Sequence, residues 1–299
     1  MASLLLVRYG ELALKSPPVR REFETSRRRN IVRQFVREGR ELRLRSDRGH
    51  LYAEVEDPDR GARLLRRVFG VTSVSVVEEV PTDRSAIRVR LLELAGPRLA
   101  AGASFAVRAR RTGSHPFTSQ ELARDLGADV LEAFPDRKLR VDLGRPDVEL
   151  HVEVRGPRTY LYFDRVVGPG GLPLGVAGRL VALVDGPRGA LGAYLMMKRG
   201  CRVALLAPPT GTSLVREVLV KFDPDAGVTE LAPDPTGWSD ALATAARGSR
   251  ADGVVLPLRV EEYPAARATW GETVVFSPTV GLADDEVAER WGHVLALAG

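Results

Sequence analysis

The feature that most restricts the fold is the order in which apolar spacings change along the first 80 residues. Leu4, Leu5, Leu6 and Val7 form a short apolar run suited to a strand. Pro17 and Pro18 then open a stretch in which Val19, Phe23, Ile31, Phe35 and Val36 recur at helical spacing, with Gly39 as its stop. Leu42 and Leu44 alternate with Arg43 and Arg45, and Leu51, Ala53 and Val55 alternate after a turn at residues 46–49. A second helical stretch starts at Asp57, Pro58 and Asp59, carries Leu64, Leu65, Val68 and Phe69, and is capped by Gly70. Residues 71–80 read as a valine-rich strand. This βαββαβ order defines a split βαβ unit, the ferredoxin-like arrangement.

Charge divides the chain. The formal balance is +5, from 44 basic and 39 acidic residues. Residues 1–168 hold 32 basic and 24 acidic residues, a net +8, whereas residues 169–299 hold 12 and 15, a net −3. The amino-terminal part therefore fits an anionic partner. Lysine occurs only at Lys15, Lys138, Lys198 and Lys221, so arginine dominates. Arginine forks onto phosphate and stacks on bases, which suits RNA. Abundant Ala, Gly, Arg and Pro account for much of that ratio, but not for the asymmetry. The first helix carries Arg20, Arg21, Arg27, Arg28, Arg29, Arg33 and Arg37, and basic residues exceed acidic ones by 13 to 6 over residues 1–48. An extended basic patch is predicted there, binding RNA through phosphates and weakening as salt rises.

Other classes are disfavoured. One cysteine, Cys201, permits no intrachain disulfide and no cysteine zinc cluster, and fits a reducing cytosol. It is expected to be a small buried residue and not a nucleophile. His50, His115, His151 and His293 show no metal-ligand spacing, so no metal site is expected. No apolar run approaches the ~20 residues of a transmembrane helix, and residues 4–7 are shorter than the ~7–15 residues of a signal-peptide core. A cytoplasmic protein without a membrane segment is expected. Asparagine occurs only at Asn30 and glutamine only at Gln34 and Gln120.

The middle of the chain carries a candidate anion site. Residues 104–110 alternate and end at the pair Arg110 and Arg111. Thr118, followed three residues later by Glu121, is a capping box that opens a helix bearing Leu122, Leu126, Val130 and Leu131. Residues 148–154 and 159–163 are alternating strands. A helix N-terminus beside paired arginines and His115 fits an anion, and the same spacing fits an ordinary capped helix. Further on, residues 179–184 are an apolar strand, residues 185–189 a loop, residues 190–199 a helix closed by Gly200, and residues 201–206 the next strand. Strand, loop, helix and strand form the front of a nucleotide-binding α/β sheet, with phosphate expected at the loop.

The string Phe105-Ala106-Val107-Arg108-Ala109-Arg110-Arg111, the string His115-Pro116-Phe117-Thr118-Ser119-Gln120-Glu121 and residues 148–164 together resemble a THUMP domain. The opening Arg8-Tyr9-Gly10-Glu11-Leu12-Ala13-Leu14-Lys15-Ser16, with Phe23, Asn30 and Ile31, is similar to the ferredoxin-like domain that precedes THUMP in tRNA 4-thiouridine synthetases. Gly170-Gly171-Leu172-Pro173-Leu174-Gly175 and residues 193–200 match the same family. The resemblance implies an α/β chain with an α+β amino half. It comprises a ferredoxin-like domain over residues 1–75, a THUMP domain over 76–167 and a Rossmann-like, parallel-sheet PP-loop-type domain over 168–299. It also implies a tRNA partner whose acceptor 3′ end lies on THUMP. Carried over by position, Lys15, Arg110, Arg111, His115, Thr118, Ser119 and Gln120 become candidate RNA contacts.

The carboxyl half departs from the family pattern. There the loop is a PP-loop reading Ser-Gly-Gly-Ile-Asp-Ser-Pro, which cradles ATP pyrophosphate while a tRNA uridine is adenylated before sulfur insertion. Here the positions are Val184, Asp185, Gly186, Pro187, Arg188, Gly189 and Ala190, and only Gly186 is kept. Both serines are absent, Arg188 replaces the aspartate that would help hold magnesium, and Pro187 lacks an N–H. Asp185 places negative charge near the pyrophosphate position, while Arg188 remains a possible phosphate contact of another kind. No catalytic residue is assigned, and no rhodanese domain is expected.

Two functions follow. One is a tRNA-binding protein whose degenerate PP-loop domain (Asp185, Gly186, Arg188, Gly189) serves as scaffold or partner platform. The other is an active ATP- and Mg-dependent 4-thiouridine synthetase that takes sulfur from a partner protein. A sulfur-donor or tRNA-modifying partner and a homodimer are further expectations. A THUMP methyltransferase is disfavoured, because Ala207-Pro208-Pro209-Thr210 lacks the amide or carboxylate and the aromatic ring of an Asn/Asp-Pro-Pro-Tyr motif.

Overall fold

The computed structural model describes residues 2–10, 16–47 and 50–299, the Asp47 side chain excepted. Strands β1 (Ser3–Tyr9), β2 (Arg43–Asp47), β3 (His50–Val55) and β4 (Val71–Pro81) combine with helices α1 (Pro17–Arg37) and α2 (Pro58–Leu65) in the βαββαβ order. Both prolines of α1 lie in its first turn, where a missing N–H costs no helical bond, and Gly39 past its end adopts φ +60°. The turn at residues 46–49 falls partly outside the described residues. Helix α2 is shorter than expected. The Arg67 and Val68 amides bond to the carbonyls of Leu64 and Leu65, three residues back, which tightens the chain out of the helix before Gly70 turns it at φ +92°.

Next come α3 (Arg84–Ala95), β5 (Ser104–Thr112), α4 (Ser119–Ala133), β6 (Arg140–Val141), β7 (Val148–Arg155), β8 (Arg158–Tyr162) and β9 (Val166–Val167). Helix α3 was not anticipated from the apolar spacing. The strand order is β2-β3-β1-β4-β8-β7-β5-β6, with β9 beside β4. Strand β5 runs parallel to β7, and β7 antiparallel to β8. Successive strand residues face opposite sides. Phe105, Val107, Leu150, Val152, Val154 and Leu161 thus bury one side together with Ile87 and Leu91 of α3 and Leu122, Leu126 and Val130 of α4. Burying each such side chain is worth about 1.5–3 kcal/mol before entropy is counted. Tyr160 and Tyr162 point the other way and pack with Leu6, Tyr52 and Val77, the Tyr52 and Tyr160 rings stacking at 4.8 Å.

The chain forms two compact units. One comprises residues 1–6, 45–58 and 75–166, the other residues 7–44, 59–74 and 167–299. The second contains β10 (Arg179–Leu183), α5 (Pro187–Lys198), β11 (Arg202–Ala207), α6 (Pro209–Ser213), β12 (Val228–Glu230), α7 (Trp238–Ser249), β13 (Gly253–Val255), α8 (Tyr263–Trp270), β14 (Val275–Phe276) and α9 (Asp284–Ala298). All pairings in its five-stranded sheet are parallel, in the order β12-β11-β10-β13-β14. The strand order reverses between β10 and β13, and in such Rossmann-like sheets the crevice at that switch point takes the ligand.

Helix α1 belongs to this second unit, and polar side chains tie it there. Asn30 Nδ2 donates to the Leu174 carbonyl at 3.2 Å, and Gln34 Nε2 to the carbonyls of Lys221 at 2.8 Å and Phe222 at 3.3 Å. Arg202 grips the buried Asp223 through both carboxylate oxygens, at 2.8 and 3.0 Å. Burial pushes the Asp223 carboxyl above its ordinary range, against the pull of Arg202. Among the described residues no helix is long and apolar enough to cross a membrane.

Candidate nucleic-acid and nucleotide sites

Thr118 and Glu121 set the geometry at the start of α4. The Thr118 hydroxyl accepts from the Glu121 amide at 3.1 Å, and the Glu121 carboxylate accepts from the Thr118 amide at 2.7 Å and its hydroxyl at 3.0 Å. Those bonds hold the Glu121 carboxyl below the usual carboxylate range. The Thr118 hydroxyl thus serves the cap of α4, both accepting and donating there. Immediately after it, Ser119 and Gln120 line a cavity of about 530 Å³ together with Arg110. The structure therefore brings together three of the seven candidate RNA contacts.

Arg110 is exposed and makes no hydrogen bond or ion pair among the described residues. Arg111 is also exposed, but its guanidinium donates to the Gly113 carbonyl at 3.1 Å. His115 bonds through Nε2 to the Thr112 carbonyl oxygen at 3.1 Å and stacks on Phe117 at 5.7 Å, so it fastens its own loop. Neither residue lines the cavity. Lys15 lies outside the described residues.

Arg108, His151 and Arg165, which are not among the candidate contacts, form other parts of the wall. Arg108 donates to Glu149 at 3.0 Å and to the Leu143 carbonyl at 2.7 Å. His151 stands opposite Arg108 in the β5–β7 register, 3.2 Å from Glu149, and stacks flat on Tyr162 at 4.7 Å. Arg165 donates to the Tyr162 hydroxyl at 3.0 Å. The signal was the strand alternation itself, which places Arg108 and Arg110 on the same side as Glu149 and His151. The cavity offers the cations Arg108, Arg110 and Arg165 and the rings of His151 and Phe163, the kinds of group that hold a phosphate and lie against a base.

The basic face expected on α1 is smaller than its sequence implies. Arg27 is buried, its guanidinium carbon 3.4 Å from the Tyr9 ring centroid, and burial lowers its affinity for a proton. Arg28 donates to the Leu44 carbonyl at 3.3 Å, and Arg33 pairs with Asp225 at 3.0 Å. Arg20, Arg21, Arg29 and Arg37 remain exposed.

At the switch point the expected loop is shorter than predicted. Gly186 caps α5 and Pro187 is its first residue, so Arg188 and Gly189 belong to the first helical turn. A proline there has its φ already set for the helix, which explains the early start. A Cβ on Gly189 would lie 2.5 Å from the Leu183 carbonyl oxygen, and one on Gly211 would lie 1.6 Å from that of Val184. The chain at residues 208–213 therefore closes tightly on this turn. Thr210 adds a hydroxyl donation to the Asp185 carbonyl at 2.9 Å.

Arg188 is engaged by the segment that leads into α9. Its guanidinium donates to the carbonyls of Thr279 at 2.7 Å and Leu282 at 2.8 Å, and to the Asp284 carboxylate at 2.8 Å. That side chain is 12% exposed. Burial, with some help from Glu262, pushes the Asp185 carboxyl upward. A pyrophosphate with its magnesium fits this donor set poorly, because one amide is missing, the nearby cation is occupied and the adjacent side chain is an acid. Cys201 is buried, its thiol donates to the Ala177 carbonyl at 3.2 Å, and burial raises its proton affinity, which disfavours the nucleophilic thiolate.

Comparison with known proteins gives the lineage. A ThiI ferredoxin-like domain matches residues 4–75, and a THUMP domain matches residues 83–164. The probable tRNA sulfurtransferase of Methanothermobacter thermautotrophicus is 39% identical over 225 residues, which cover 72% of this chain and 56% of that protein. Its namesake in Saccharolobus solfataricus is 37% identical over 216 residues, 71% of this chain and 55% of that one. The chain thus spans about half the length of the curated relatives it matches. Among solved structures, PH1313 from Pyrococcus horikoshii has a TM-score of 0.82 at 25% identity, covering 98% of this chain and 99% of that one. A 4-thiouridine synthetase, crystallised with RNA and ATP, shares the fold at a TM-score of 0.78 and 20% identity, over 100% of this chain and 86% of that one. With its THUMP domain, its ferredoxin-like domain and these relatives, the chain belongs to the tRNA sulfurtransferase family of THUMP proteins.

Proposed function

We propose that this protein binds the acceptor region of tRNA and has lost the ATP and sulfur-transfer chemistry of its family. Residues 1–75 and 76–167 hold the RNA as ferredoxin-like and THUMP domains, and residues 168–299 form a PP-loop-type domain kept as scaffold or partner platform. The observation that carries this reading is Arg188, which stands where the family pattern has an aspartate and whose guanidinium is bound to Thr279, Leu282 and Asp284. Arg110, Ser119 and Gln120 around one cavity support the RNA half. Calorimetry with ATP tests the lost chemistry. Weak binding is expected, and a micromolar dissociation constant overturns the reading.

The curated relatives favour a second reading, because those matching most of this chain are named tRNA sulfurtransferases. In that reading the protein is an ATP- and magnesium-dependent 4-thiouridine synthetase, supplied with sulfur by a partner protein. Mass spectrometry of tRNA uridines with and without the gene separates the two. The first predicts unchanged 4-thiouridine and the second its loss.

A further inference from the structure

A second basic cavity lies within the other compact unit, apart from the cavity at Arg110 and from the loop at Arg188. It encloses about 310 Å³ where α1 meets the segment that leads into β10 and the start of β11. Arg29 and Arg33 come from α1, Arg179 from the start of β10 and Arg202 from the start of β11. Leu174, Gly175 and Gly178 complete one wall, so the glycine-rich stretch at residues 170–178 has a local role. Gly175 and Gly178 both take φ +91°, and a Cβ on Gly178 would lie 2.4 Å from an Asp252 oxygen. The wall thus follows a backbone path that larger residues disfavour.

The charge there is unbalanced. Four guanidinium groups line the cavity and no carboxylate does. Two of the four are paired behind the wall, Arg33 with Asp225 at 3.0 Å and Arg202 with the buried Asp223. Asp252 accepts from the Arg179 backbone amide at 2.8 Å, which leaves that guanidinium unengaged. Neither the Arg29 nor the Arg179 side chain has a hydrogen-bond or ion-pair partner among the described residues. Arg33 Nη1 is buried with no acceptor. The exposed guanidinium groups of Arg29 and Arg179, unpaired among the described residues, are the donors open to a doubly charged or delocalised oxyanion.

We propose that this cavity binds a backbone phosphate of the RNA, extending the RNA-binding surface onto the unit that contains the degenerate nucleotide loop. The lining has four arginines, two glycines, Ser26, Asn30 and Leu174 but no aromatic ring, so it recognises a phosphate and not a base or a free nucleotide. Arg29 and Arg179 make the primary contact, and Arg33 and Arg202, held by their aspartates, form a fixed cationic floor. The inference rests on the tRNA reading above; it narrows the α1 arginines to Arg29 and Arg33 and joins them to Arg179 and Arg202.

The test uses the full chain carrying Arg29→Gln and Arg179→Gln, two exposed positions whose side chains anchor nothing in the fold. Binding of tRNA is measured from low to high salt beside the wild type, with a thermal melt to confirm folding. About tenfold weaker binding and a salt slope flatter by about one to two are expected, since each neutralised phosphate contributes about 0.7–0.9 to that slope. Wild-type affinity and slope in the variant overturn the proposal and leave the tRNA reading standing. A wild type that binds no tRNA overturns both. Pyrophosphate is the small-anion probe: if it binds the wild type and not the variant while tRNA binding is equal in both, the site takes a free anion and the RNA assignment fails.

Discussion

Arg110 stands exposed on β5 beside a cavity, with no protein partner among the described residues, while Arg188 sits in the first turn of α5 with its guanidinium bonded to two carbonyls and a carboxylate. Both lie beside a helix N-terminus in a place suited to an anion. What separates them is the surrounding chain. Around Arg110 the helix-terminal bonds are the local ones between Thr118 and Glu121, which do not involve the arginine. Around Arg188 the segment leading into α9 arrives with three acceptors and takes the whole side chain. A cation near a helix start is available to ligand only where no distant part of the chain has claimed it.

Exchange of roles breaks this comparison most directly. Arg188→Ala leaves the carbonyls of Thr279 and Leu282 without their donor inside a largely buried pocket. It is expected to destabilise the fold by about 1.5–3 kcal/mol, the range for hydrogen bonds to charged groups, read as a lower denaturant midpoint at unchanged m-value. ATP binding should not change. If Arg188→Ala leaves stability intact and weakens ATP binding, Arg188 is a phosphate ligand and the contrast is wrong.

The THUMP side should respond in the opposite way. Arg110→Ala with Arg111→Ala is expected to leave the denaturation midpoint within error and weaken tRNA binding about tenfold at moderate salt, flattening the salt slope by about one to two. Arg110 should account for most of the loss, because Arg111 already spends a donor on Gly113. Equal affinity for the double variant and the wild type removes the pair from the RNA surface.

Thr118→Ala sharpens the distinction between capping and contact. Loss of the N-cap side chain is expected to cost about 1 kcal/mol and to leave the tRNA salt slope unchanged, whereas a Thr118 that touched RNA would lower affinity in the variant out of proportion to stability. A thermal melt and a binding isotherm on the same protein decide it.

Where bonds are local, the sequence was readable. Thr118 and Glu121 are three residues apart, and their reciprocal bonds follow from that spacing. The βαββαβ order and the parallel strands at β10 and β11 were likewise written in short apolar runs. Helix α3 escaped because its buried residues are only Ile87, Leu91 and Ala95, one per turn, among charged neighbours, although Asp83 signalled its start by capping Ala86 at 2.9 Å. The site details that were missed depend on partners far along the chain. Asn30 and Gln34, two of the three side-chain amides in the protein, bond to carbonyls 144 to 188 residues away. Arg188 finds its acceptors 91 to 96 residues away. No spacing within one element encodes such contacts, so α1 reads from sequence as an extended basic patch and Arg188 as a possible phosphate contact.

The smallest effect concerns Asp185, the acid beside the start of α5. Its carboxyl is pushed upward by burial and by Glu262, so the folded protein holds this proton more tightly than the unfolded chain does. The sign follows: the stability associated with the protonated form is fully present below the ordinary aspartate range and is lost as pH rises through the raised folded value. At neutral pH the ionised side chain is therefore a small burden on the fold. Asp185→Asn, which keeps the shape and removes the charge, is expected to raise the melting temperature at pH 7 by a degree or two, on the order of 0.5 kcal/mol for a domain of this size. The gain should disappear as pH falls below about 4, where the native aspartate is protonated as well. A variant less stable than the wild type at pH 7 would mean that the carboxylate is held by a favourable partner, and the loop would then be a site built to keep an acid, unlike the cavity at Arg110.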